Sequence, residues 1–111
     1  MRLESKKYLF DILQAAKRVA EFTKNRQFSD YERDALLRAA VERQFEIVGE
    51  ALRRLAKEDA TTIALISEHA RIIAFRNILV HGYADIDDRI IWDIVQSKLP
   101  TLLREVESLL E

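Results

Sequence analysis

From Ile72 to Val80 the chain reads Ile-Ile-Ala-Phe-Arg-Asn-Ile-Leu-Val, with only Arg76 and Asn77 polar among its nine residues. A surface helix shows one apolar stripe, whereas a helix apolar nearly all round has to be covered on most sides. The segment therefore demands a fold that wraps it, or a second molecule that does. It runs on into His81, Gly82 and Tyr83, so an arginine, an amide, a histidine and a tyrosine fall within eight positions. Polar groups removed from water without partners are costly, so these must meet one another, another subunit or a ligand.

The rest of the chain points to helices as well. Only two glycines and one proline occur in 111 residues, and alanine, leucine, glutamate and arginine abound, which favours helices over sheets. A chain of this length fits one domain, residues 1–111, and can bury roughly two-thirds of its unfolded surface. No apolar run approaches the ~18 residues of a membrane span, so no membrane association is expected. The start, MRLESKKYLFDIL, interleaves charges with apolar positions and lacks a signal-peptide core. With no cysteine there is neither a disulfide nor a thiolate metal site, which suits a cytoplasmic protein. Eighteen basic and nineteen acidic residues leave a net charge of −1. That balance excludes a broad nucleic-acid-binding surface but leaves room for a local basic pocket.

Apolar periodicity predicts four to five helices. Tyr8, Ile12, Ala15, Ala16, Val19 and Phe22 recur at helical steps over residues 4–26. Phe28-Ser29-Asp30-Tyr31-Glu32 is a break and restart, with Ser29 and Glu32 at capping-box spacing. A second helix is expected over residues 30–57, with Leu37, Val41, Val48, Leu52 and Leu55 on its stripe. Gly49 lies inside it and suggests close helix packing, while Glu50 either pairs with Arg53 or Arg54 in solvent or faces a charged pocket. After a polar turn at residues 58–62, a third helix over 63–81 contains the opening stretch, and Gly82 is its natural stop. Asp85 to Asp88 supplies the acidic start of a fourth helix over 87–98, with Ile90, Ile91, Ile94 and Val95 on its apolar stripe and Trp92 among them as a large core anchor. Pro100 fits the first turn of a fifth helix, or kinks one continuous helix. The expected architecture is one all-α bundle.

Arg76 and His81 are the chemically capable pair. At 100° per residue they stand roughly 140° apart around a helix and about 7.5 Å apart along it. One straight helix does not aim both at one point. Either the helix ends or bends before His81, or a second copy of the chain completes the site, and a twofold dimer would also cover the surplus apolar surface. Histidine is the usual general acid or base near neutrality, and arginine is a permanent fork of donors suited to phosphate. Together they suit metal-independent RNA cleavage, with Asn77 orienting His81 or donating to the phosphate. The same residues also fit a buried Arg–Asn–His network that merely holds a helix end. His69 and His81 lack metal-ligand spacing, and no phosphate loop or paired-carboxylate motif is visible, so no metal or cofactor is expected.

Arg76-Asn77-x-x-x-His81-x-Tyr83 resembles the R-x4-H-x-Y signature of the HepT-like toxin branch of the HEPN superfamily. Ala40-Val41-Glu42-Arg43 with Ile47-Val48-Gly49-Glu50-Ala51 is similar to that branch's second-helix pattern. Ile86-Asp87, Trp92 and Leu99-Pro100 are similar to its C-terminal pattern. The resemblance implies a HEPN-type up-and-down helical bundle that forms a homodimer, with Arg76 and His81 as catalytic residues of an RNA-cleaving site at the dimer interface. It further implies a minimal nucleotidyltransferase antitoxin that neutralises the toxin by transferring AMP to Tyr83. Many relatives carry Pro-Trp at the start of the motif helix and Gly-Met before the arginine, where this chain has Glu68-His69 and Ala74-Phe75. A reading from another class stands beside this one: a non-catalytic helical subunit of a nucleotidyltransferase, in which Arg76 grips a phosphate and His81 is structural.

Overall fold

The computed structural model describes residues 1–81 and 86–111, and these form helices only. They are α1 (Leu3–Thr23), α2 (Phe28–Arg33), α3 (Ala35–Glu58), α4 (Ala60–Ile63), α5 (His69–His81), α6 (Asp88–Ser97) and α7 (Leu99–Leu110). The long helices α1 and α3 pack on each other, with α5 against α3 and α7 against α1. Leu9, Ile12, Phe45, Leu52, Ile91 and Val106 are at most 2% exposed, and every helix contributes to the one apolar cluster they belong to. Trp92 is a core anchor as expected, its ring centroid 5.5 Å from that of Tyr31. The all-α bundle expected from the sequence is the one observed.

The boundaries differ where side chains compete with the helix backbone. Helix α1 stops at Thr23, whose hydroxyl donates back to the Val19 carbonyl at 2.8 Å, and Asn25 then turns left-handed at φ 61°. Residues 30–57 are not one helix. Asp34 is extended and its carboxylate accepts from the Leu37 N–H at 3.0 Å, so it caps α3 and splits off α2. The N-cap of α2 is Gln27 rather than Ser29: Asp30 accepts from the Gln27 N–H at 2.8 Å.

The polar turn expected at 58–62 contains a short helix. Asp59 caps α4 by accepting from the Thr62 N–H at 3.1 Å and hydroxyl at 2.7 Å, and it also accepts from Ser5 of α1 at 2.6 Å. Helix α5 begins at His69, not at 63, because Glu68 takes a left-handed φ of 56°. That corner is fastened to the C-terminal helices. Ser67 donates through its N–H and hydroxyl to Glu105, and Glu68 pairs with Lys98 at 2.6 Å. Asp87 caps α6 by accepting from the Arg89 N–H, and Pro100 sits in the first turn of α7, so α6 and α7 are separate helices.

The opening stretch is less covered than its composition suggests. Helix α5 buries Ile72, Phe75 and Leu79, but Ile78 is 55% exposed and Val80 38%. One chain therefore covers only one side of this helix. Ile90, expected on the buried stripe of α6, is also exposed.

Candidate active site

The site is built where α5 crosses α3. Phe45 and Phe75 meet edge to face, ring centroids 5.8 Å apart, and fix the crossing. One turn further along α3, Gly49 lies directly against the stem of Arg76. A Cβ at Gly49 would fall closer to Cβ and Cγ of Arg76 than nonbonded carbons approach. Glycine inside a helix costs about 1 kcal/mol relative to alanine, and the absent side chain is what lets the arginine lie on the α3 backbone. The close packing expected at Gly49 is observed, and its partner is the candidate catalytic arginine.

Beyond the stem, Glu50 receives the guanidinium. Its carboxylate lies 3.0 Å from Nη2 of Arg76, 2.7 Å from Nη2 of Arg53 and 3.0 Å from Nε of Arg54. Both sequence readings of Glu50 hold at once: it pairs along its own helix and faces a charged pocket. Hydrogen bonds from Arg53 and then Arg54, with the charges of Arg53 and Arg76, bring its carboxyl down to about 2. Arg76 Nη1 donates to Asn77 Oδ1 at 3.1 Å, while its buried Nε finds no acceptor among the described residues. The Arg76 side chain is 22% exposed, at the edge of a recess of about 320 Å³ between α1, α3 and α5. Lys7, Tyr8, Arg43, Glu50 and Arg54 line the same recess. Lys7 carries no sequence signal for this role, and Arg43 stands out only within the second-helix pattern, because they come from two helices whose juxtaposition only the fold creates.

His81 is the last described residue of an uninterrupted α5 and is exposed. Helix α5 runs unbroken from Arg76 to His81, which at regular helical geometry leaves them roughly 140° apart around its axis. Asn77, also exposed, lies on the His81 side. A buried Arg–Asn–His network is therefore absent: the arginine turns inward to Glu50 while the amide and imidazole face out. Tyr83, the expected modification site, and Gly82, the expected helix stop, lie outside the described residues. On the other flank of α5, Ile72, Ala74, Ile78, Ile90 and Ile94 line an apolar groove of about 360 Å³ against α6.

The sequence that builds this site also places the chain among known proteins. The profile of a family described as ribonuclease HepT-like matches residues 12–109. The chain belongs to the ribonuclease HepT-like family. It is 35% identical over 102 residues to a Methanocaldococcus jannaschii protein named "Putative RNase MJ1380", covering 92% of this chain and 93% of that one. It is 33% identical over 111 residues to "Probable ribonuclease HepT" of Thermococcus cleftensis, covering 98% of each. A third relative, "Putative RNase TTE0752" of Caldanaerobacter subterraneus subsp. tengcongensis, is 33% identical over 104 residues, covering 94% of this chain and 92% of that one. No solved structure matches the chain. The HEPN resemblance drawn from R-x4-H-x-Y is borne out, and the HepT-like match spans both the Gly49-Glu50 pair and the Arg76–His81 segment.

Proposed function

We propose that this chain is the toxin of a toxin–antitoxin pair, a metal-independent endoribonuclease whose active site forms between two copies. The observation that carries the proposal is the division of α5. Arg76 is held in a recess that Val80 also lines, and His81 stands on an open face beside exposed Asn77 and Ile78. A twofold partner packed on that face would cover Ile78 and bring a second Arg76 and His81 to a common cleft.

In such a cleft one His81 takes the proton of an RNA 2′-hydroxyl, which attacks the adjacent phosphorus. Arg76 stabilises the charge that gathers on the phosphorane oxygens, and the imidazolium so formed gives its proton to the departing 5′-oxygen, so one Arg76 and one His81 make a complete set. Asn77 holds Arg76 through Oδ1 and leaves its amide NH₂ for the phosphate. Membership of the HepT-like family and the R-x4-H-x-Y segment support two further partners in this reading. RNA is the substrate, and a minimal nucleotidyltransferase is the antitoxin that AMPylates Tyr83. A nucleotide added two residues after His81 would bring phosphate charge to the cations that cleavage needs.

A cleavage assay on defined RNAs in excess chelator tests the reading, comparing wild type with folded Arg76→Ala and His81→Ala proteins. Cleavage by wild type alone is expected, with each variant down by at least ~10²-fold, the usual scale for acid–base and charge-stabilising groups. Undiminished cleavage by His81→Ala would contradict it. Intact RNA in every lane would favour a nucleotide-binding subunit instead.

A further inference from the structure

The contacts of Arg76 go further than its presence. Its stem rests on the α3 backbone at Gly49, where no side chain can stand. Its tip is drawn to Glu50 through Nη2 and to Asn77 through Nη1. Of its five N–H donors, those two atoms are engaged on one side, and the buried Nε is left without an acceptor among the described residues. Guanidinium on a flexible stem is ordinarily free to follow a phosphate wherever it binds. Here it is aimed in advance.

We infer that Gly49 and Glu50 form a mount on α3 that positions the Arg76 guanidinium for transition-state charge, at the expense of its grip on bound RNA. The inference rests on the nuclease reading of the preceding section and deepens it. Gly49 and Glu50 are positioning residues: neither needs to touch the reacting atoms. The charge arithmetic sets the direction of the effect. Glu50 is one carboxylate against three guanidinium groups, Arg53, Arg54 and Arg76, in a recess that also holds Lys7 and Arg43. Removing its negative charge raises the positive potential that an RNA phosphate meets, so ground-state affinity rises. Removing it also frees the guanidinium from its preset direction. Preorganised donors stabilise a transition state because they need not reorganise when charge develops, so turnover falls. Affinity and turnover therefore move in opposite directions, which a general loosening of the fold would not produce.

The test uses full-length protein, one single-stranded RNA that wild type cleaves, and the same RNA 2′-O-methylated throughout, which lacks the attacking hydroxyl. Glu50→Gln is expected to bind the methylated RNA about 3- to 10-fold more tightly at low salt and to lower kcat at least ~10-fold on the cleavable RNA. In an Arg76→Ala background the affinity gain should shrink, because the part that acts through Arg76 is lost while the charge removed beside Arg53 and Arg54 is not. Gly49→Ala, confirmed folded by circular dichroism, should lower kcat similarly, since the new methyl forces α5 away from α3. The mount is overturned if Glu50→Gln turns over at the wild-type rate, if its binding and kcat fall together, or if its affinity gain is undiminished without Arg76. Wild-type protein that leaves every RNA intact contradicts the nuclease reading instead. The affinity arm, read on uncleavable RNA, still decides whether Glu50 restrains Arg76.

Discussion

At the scale of single residues the informative feature is the sharing of Glu50. Three cations on one carboxylate explain why it takes up a proton only as pH falls to about 2. The sign of the resulting pH effect follows from linkage. Because the folded group is depressed below the ordinary carboxylate value, its stabilisation is complete above that value and disappears as pH falls towards 2. Wild type should thus exceed Glu50→Gln in stability near neutrality, and the gap should shrink steadily as acid is added over that window, measured by urea unfolding at a series of pH values. An unchanging gap would mean that Glu50 stabilises by packing and not by charge. As candidates, Arg76 and His81 were legible in the sequence through their residue types and the R-x4-H-x-Y resemblance. The inward direction of Arg76 was not. It depends on a helix crossing between α3 and α5, and no local pattern encodes which residue will lie opposite a glycine.

At the scale of elements, the helices follow from the three- and four-residue apolar steps, and their ends follow from polar side chains. Asp34 shows why the two kinds of information have unequal reach. An aspartate is compatible with a helix in a periodicity count, yet its carboxylate competes for a free N–H and here caps α3. Asp34→Ala should destabilise the protein by about 1 kcal/mol, read as an earlier urea midpoint with an unchanged slope. Asp59 does the same for α4 and adds a tie to Ser5, with its carboxyl brought down to about 2 chiefly by the Ser5 and Thr62 hydroxyls. Asp59→Asn should lower the unfolding midpoint at neutral pH, and the difference from wild type should close as pH approaches 2. Trp92, packed on Tyr31 where α2 meets α6, belongs to the same scale. Trp92→Ala should cost about 3–5 kcal/mol, the range for deleting a large buried aromatic. The sequence identified this anchor through its apolar neighbours Ile91 and Ile94, whereas the exposure of Ile90 depended on how α6 is rotated in the bundle.

At the scale of the whole molecule, α5 has one covered side and one open side. The apolar composition of Ile72–Val80 led to the expectation of burial nearly all round, and the single chain supplies only part of it. A second copy is the proposed remainder. Ile78→Asp should then give a folded protein that sediments as a monomer and has lost cleavage, since a carboxylate at the centre of the interface would be buried without a partner. The most direct test of the central claim mixes two inactive proteins. Arg76→Ala and His81→Ala are each purified, partly unfolded together and refolded to exchange chains, then assayed on RNA in chelator. If the site draws its arginine from one copy and its histidine from the other, the mixed dimer keeps one complete set, and cleavage should return to a substantial fraction of wild type. A mixture whose chains have demonstrably exchanged but which cleaves no better than either parent would contradict a site shared between two chains.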